Sequence, residues 1–158
     1  MIKKVNRILH KLSTPLLELL NGQNLPDKQH EAILLLSMDE NQFPHVAMIS
    51  VGEIVAIDET ELRLSLWRNT VTTTNLSRTG QATFVVIFEG VAYYVKISVQ
   101  EMFISDARHD RQCFVAKVVS FRADVAKYAD IVSGVRINLK EPEPVLQRWE
   151  ETVADLLR

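Results

Sequence analysis

The 158 residues predict a mainly β chain of the α+β class. The expected form is a six-stranded antiparallel barrel with a short crossover helix and terminal helices. Three observations predict it. Apolar residues alternate with period two over several long segments, the pattern of strands with one buried face. These segments follow one another through short turns, which argues against a parallel α/β sheet with a helix after each strand. Helical spacing is confined to the two ends and to one insertion.

The N-terminal part, 1–22, reads as helical. Lys3, Lys4, Arg7 and Lys11 alternate with Ile2, Val5, Ile8, Leu9 and Leu12 at helical spacing, giving a basic amphipathic surface helix. Ser13-Thr14-Pro15 restarts a helix carrying Leu16, Leu17, Leu19 and Leu20, and Gly22 ends it. Residues 23–30 form a polar connection. Strands are expected at 32–36, 44–57 (with a bulge or bend at Gly52), 61–67, 81–88, 91–104 and 112–123. A short helix at about 72–79 crosses between the third and fourth strands. Glu89-Gly90 closes a hairpin between the fourth and fifth. In the fifth strand the alternation slips phase at Met102 and Ile104, which predicts a bulge there. The segment 125–158 is expected to be helical: Val125, Tyr128, Ala129 and Val132 share a face ended by Gly134. Pro142 and Pro144 then open a final helix bearing Val145, Leu146, Trp149, Val153, Leu156 and Leu157 on one side. The length suits a single domain, 1–158.

Charge and cysteine usage narrow the function. A net charge of −2 and a pI near 6.1 supply no basic field for nucleic acid. The lone Cys113 excludes an internal disulfide and a Cys-rich zinc site, and fits a reducing, cytoplasmic location. No apolar run approaches the roughly 20 residues that span a bilayer, so no membrane partner is expected. Asp106, His109 and Asp110 share a charged loop, but their spacing matches no metal motif and predicts a solvated loop. No Ser-His-Asp arrangement can be assigned, so no catalytic residue is named. Tyr93 and Tyr94 occupy opposite faces of a strand, and Cys113 reads as a buried strand residue.

The most informative stretch is 65–80, Ser-Leu-Trp-Arg-Asn-Thr-Val-Thr-Thr-Thr-Asn-Leu-Ser-Arg-Thr-Gly. A strand runs into a polar turn with Thr70, Thr72, Thr73 and Thr74, and then into a helix. Hydroxyls and unpaired N–H groups at a helix start favour an anion such as a phosphate. The same residues also describe a capped helix whose threonines bond only their own backbone.

Three pieces resemble the pyridoxamine 5'-phosphate oxidase-like family of FMN-binding split barrels. The run from Met38 to Ser50 is similar to that family's "DxxGxPHxxxxS" turn and second strand, with Asn41 expected to supply the left-handed residue in place of glycine. The other two are 62–67 with the threonine turn and Asn75-Leu76, and 80–86 after the crossover helix. Together they place a split barrel over 31–124. The resemblance implies a homodimer holding FMN at its interface. It puts the flavin ring on the main chain of Met48, Ile49 and Ser50 and of Leu66, Trp67 and Arg68. It puts the phosphate at Thr70, Thr72 and Thr73, with Asn75 holding the helix start. The implied function is a flavin-dependent oxidoreductase of an unnamed small-molecule substrate. One position departs: Val71 stands where many relatives carry Lys or Arg, which leaves the phosphate to hydroxyls, N–H groups and Arg68 or Arg78. The alternatives are a non-catalytic dimer that binds another ligand or partner after losing the flavin, and a heme-handling relative. The homodimer is also expected from the two apolar-rich faces of 91–99.

Overall fold

A computed structural model describes residues 9–158. The basic amphipathic helix falls largely outside them. Its described end is extended, because Leu9 pairs with Phe121 in an antiparallel bridge (N···O 2.9 Å). Helix α1, Thr14–Leu19, starts one residue before Pro15 and buries Leu16 and Leu19. The connection after it contains an unforeseen single turn, α2, Leu25–Lys28, opened by Pro26.

Seven antiparallel strands follow: β1 Ala32–Met38, β2 Pro44–Ser50, β3 Ile54–Ala56, β4 Glu61–Trp67, β5 Gln81–Phe88, β6 Val91–Met102 and β7 Arg111–Asp124, with helix α3, Val71–Thr79, between β4 and β5. They form one sheet in the order β2-β1-β5-β6-β7-β4-β3. The mainly β architecture of the sequence reading holds, with one strand more. The predicted strand 44–57 breaks into β2 and β3, and the two halves lie at opposite edges of the sheet although only Val51, Gly52 and Glu53 separate them. The sheet must therefore curl until its edges meet. The break is a turn closed by the Glu53 N–H to the Ser50 carbonyl (3.1 Å). It also lies under the C-terminal helix α4, Pro142–Leu156, where a Cβ on residue 52 would collide with the indole of Trp149. Only glycine fits that approach.

Inside the curl, Leu35, Ile54, Leu62, Leu64, Phe84, Val95 and Phe114 are fully buried. Their alternation with outward residues fixes the register, since a one-residue slip would turn the set into solvent. The β5–β6 hairpin pairs Phe88 with Val91 around Glu89 and Gly90, both at positive φ, as a two-residue turn that follows the strand twist requires. The bulge lies elsewhere than predicted. Lys96 pairs with Ser120 and Ile97 with Val118, so Val119 of β7 is the extra residue, and β6 keeps its phase through Val99.

Two further expectations are corrected. Gln42 (φ 65°), not Asn41, takes the left-handed position in the β1–β2 turn, because Asp39 Oδ1 accepts from the N–H groups of both Asn41 and Phe43 and sets the turn from its first residue. Residues 125–133 form no helix. The chain there runs as an irregular strap, held beyond Gly134 by Ala32 N–H to Val135 carbonyl (3.2 Å) and Ile137 N–H to His30 carbonyl (2.9 Å). Tyr128 and Val132 are fully exposed, so the apolar spacing that suggested a helix has no core to face.

Helix α4 is fastened by Asp155, which is buried. Its carboxylate accepts the Arg108 N–H (2.8 Å) and the guanidinium groups of Arg108 (3.1 Å) and Arg158 (2.6 Å). These bonds dock the charged loop 105–110 on α4, so that loop is less free than its composition suggested. Burial alone pushes the carboxyl pKa up, but the hydrogen bonds from Arg108 and Arg158 outweigh it and hold it below the usual range. A lowered folded value stabilises the protein above the unfolded pKa, about 3.9, and that stability is lost as pH falls through the folded value. Asp155→Asn is expected to lower the urea midpoint at pH 7. The gap to the unmodified protein should close steadily as pH is lowered below about 4.

Candidate functional site

The curl brings the ends of β2 and β4 together through one polar hub. Glu53 Oε1 accepts from both the N–H and the hydroxyl of Ser50 (3.0 Å each). Its Oε2 pairs with the Arg111 guanidinium at 3.2 Å, and the same guanidinium nitrogen donates to the Ser65 carbonyl at 2.7 Å. The Ser65 N–H returns to the Glu53 carbonyl (2.9 Å). Arg111 is 7% exposed; burial works against its charge and lowers its pKa, while Glu53 opposes that. The guanidinium also lies over the ring of Trp67, 4.0 Å from its centroid.

This hub decides what the strand residues named from the sequence can do. Ser50 is buried and its hydroxyl is committed to Glu53. The side chains of Ile49 and Leu66 point into the core. Any contact that Ile49, Ser50 and Leu66 offer a ligand is therefore through main chain. The outer edge of β2 suits that, because it has no strand partner among the described residues. Met48 and Trp67 are largely exposed and supply apolar surface. Arg68 is engaged by Asp110 at 2.6 Å.

The threonine turn divides. Thr70 caps α3: its Oγ1 accepts the Thr73 N–H (3.1 Å) while Thr73 Oγ1 accepts the Thr70 N–H (3.1 Å), a reciprocal capping box. Thr72 is 6% exposed and Asn75 is buried, its amide donating to the Ser37 hydroxyl of β1 (3.0 Å). Asn75 thus ties α3 to the sheet. The first two N–H groups of α3, on Val71 and Thr72, have no intrahelical acceptor.

Beside this start lies an open cleft of about 450 Å³, lined by Asn69, Thr73, Thr74, Ser77, Arg78 and Gln112. It gathers hydroxyls, amides and one guanidinium on a single face of α3. Of the predicted phosphate residues only Thr73 lines it; Thr70 and Thr72 border it in sequence. Thr74, Ser77, Asn69 and Gln112 are additions. The first two could have been found from helix spacing, since Thr73–Ser77 and Thr74–Arg78 are four apart and share a face. Gln112 arrives from β7 and has no local signal. Arg78 is oriented by the Asn75 carbonyl-type oxygen (3.3 Å) and the Met38 carbonyl. Among the described residues no group of three or more His, Cys, Asp or Glu side chains could hold a metal ion. No described helix is long and apolar enough to cross a membrane.

Removing Glu53 would leave the Arg111 charge buried and unpaired. Glu53→Ala is expected to cost about 3 kcal/mol in urea unfolding, in the range for breaking one side of a buried pair.

No family model matches the chain. It is 49% identical over 148 residues to the uncharacterized protein YclD of Bacillus subtilis, covering 93% of this chain and 96% of the relative. Solved structures share its fold at low identity. One is an FMN-binding protein of Syntrophomonas wolfei (18% identity, TM-score 0.51, 69% of this chain and 88% of that one). Another is a candidate pyridoxamine 5'-phosphate oxidase of Lactobacillus delbrueckii (14%, 0.55, 72% and 98%). A third is HupZ of Group A Streptococcus (9%, 0.55, 80% and 99%). The chain belongs to the family of Bacillus subtilis YclD, and its fold is the split barrel of the FMN-binding and pyridoxamine 5'-phosphate oxidase-like proteins.

Proposed function

We propose that this protein is a homodimeric, FMN-binding split-barrel protein that acts as a flavin-dependent oxidoreductase. The observation that carries the proposal is the polar cleft at the start of α3, set two residues beyond the half-exposed Trp67. The residues present fit the cofactor. Thr74, Ser77, Arg78, Gln112 and the free N–H groups of Val71 and Thr72 would hold the phosphate, while the open edge of β2 and the main chain of Leu66 and Trp67 would take the ring. Arg78, which pairs with the exposed Glu40 at 3.8 Å, would supply the cationic contact that Val71 does not by exchanging that carboxylate for the phosphate. When bound, the flavin would supply the redox chemistry; this chain's residues bind it, orient it and exclude water.

A second reading has its own observation. Val71 is 53% exposed at the first position of α3, an apolar group where the phosphate would approach. It favours a non-catalytic dimer that has given up the flavin. A visible spectrum of the purified protein separates the readings. Flavin bands support the first, and a protein that neither carries nor takes up FMN supports the second. A Soret band instead would point to heme.

The phosphate assignment has a graded test. Arg78→Gln and Thr74→Ala are each expected to weaken FMN binding by about 1–2 kcal/mol, as for hydrogen bonds to a charged group. Riboflavin, which lacks the phosphate, should bind all proteins alike. Val71→Lys should tighten FMN, with a gain that shrinks as salt rises.

The surface that supports a dimer is not the one expected. The outward face of β6 carries Lys96, Ser98 and Gln100 and is polar. The apolar outward face lies instead on β1, β2 and β5: Met38, Val46 and Met48 are exposed, and Leu34, Leu36 and Val85 are half-buried beside them in register. Light scattering at micromolar concentration is expected to give twice the 18.0 kDa chain mass. Val46→Glu, which places a charge on that face, should give a folded monomer.

A further inference from the structure

Trp67 is attended by two guanidinium groups, not one. The ζ-carbon of Arg111 lies 4.0 Å from the ring centroid and that of Arg148, from α4, lies 5.4 Å away. The two differ in what neutralises them. Arg111 is buried and paired with Glu53. Arg148 is half-buried and has no ion pair or hydrogen bond among the described residues. The neighbouring Arg68 already has Asp110. One positive charge is therefore unmatched, close to a like charge, beside an indole that is 52% exposed.

That arrangement is costly for stability alone. A cation–π contact with an exposed ring contributes about 0.5–1 kcal/mol, and a single arginine provides it. A second guanidinium adds repulsion from the first. What the pair does provide is a flat apolar surface with one free, fork-shaped donor at its rim. A guanidinium binds a carboxylate in bidentate fashion, and the indole accepts a planar group by stacking. A single surplus charge matches a monoanion better than a dianionic phosphate.

We infer that Trp67 and Arg148 form a subsite for a planar, aromatic carboxylate, with Arg148 as the residue that selects the anion. As an anion-binding site it stands without the flavin; as the substrate's place in a flavin enzyme it rests on the function proposed above.

The test uses 2-naphthoate and its neutral amide, 2-naphthamide, titrated calorimetrically into the purified protein with and without excess FMN. Naphthoate is expected to bind about tenfold more tightly than the amide, the scale of one charge-assisted contact. Arg148→Gln should abolish that preference and leave FMN binding within about twofold of the unmodified protein. Arg148→Lys, which keeps the charge without the fork, should retain part of the preference. Equal binding of the two probes, binding of neither, or an intact preference in Arg148→Gln overturns the inference. So does a loss of FMN affinity in Arg148→Gln as large as the loss for naphthoate, since Arg148 would then serve the cofactor. A preserved naphthoate preference in a protein that takes up no FMN supports the anion site and counts against the flavin reading alone.

Discussion

A desolvated guanidinium needs its partners, and the pairing of Arg111 with Glu53 sets the geometry of everything around it. Arg111 opens β7, Glu53 lies in the turn between β2 and β3, and the carbonyl that Arg111 also reaches belongs to Ser65 in β4. Three elements from distant parts of the chain must converge for one buried charge to be satisfied, and that convergence is what closes the curl. The same requirement fixes Ser50 by two bonds to one carboxylate oxygen and holds Trp67 beneath the guanidinium. Lysine could not replace Arg111. An ammonium lacks the flat guanidinium plane that lies on the indole while one of its nitrogens bonds a carboxylate and a carbonyl.

At the other end of the site, two descriptions of the threonine turn prove compatible. Thr70 and Thr73 spend their hydroxyls on each other's backbone and make the helix start rigid. Thr74, Ser77 and Arg78, further along the exposed side, face the cleft, with Ser77 accepting from Gln112 (3.2 Å) and Arg78 paired with Glu40 (3.8 Å). Capping is thus what positions the open groups. A frayed helix start would scatter donors that a phosphate needs in one place.

What the sequence made legible follows the range of the interactions involved. Apolar patterning located the strand-forming segments, with β2 and β3 read as one, and Pro142 and Gly90 marked local boundaries correctly, because these are properties of neighbouring residues. The strand break at Gly52 was visible only as a bend. Its cause is Trp149, nearly a hundred positions away, pressing on a residue without a side chain. The strap at 125–133 misled for a related reason. Val125, Tyr128 and Val132 have helical spacing, but no sheet face is left for them to cover. In the site, Thr70 and Asn75 could be read from the helix start, whereas Gln112, Glu53 and Arg148 come from other elements and carry no local mark.

The contact between Trp149 and the glycine turn also bears on the order in which the molecule can be completed. During synthesis the strands emerge from β1 to β7, and neighbours such as β5 and β6 can pair as soon as both are free. The turn that joins the two sheet edges is different, since α4, which covers it, is made after every strand. Until then the nascent chain exposes the buried faces of Ile54, Leu62 and Leu64 at an unsealed seam. The helix is in this sense the clasp of the barrel. A chain halted before residue 149 would hold nearly all of its strand pairing and still present an open, apolar edge to its neighbours.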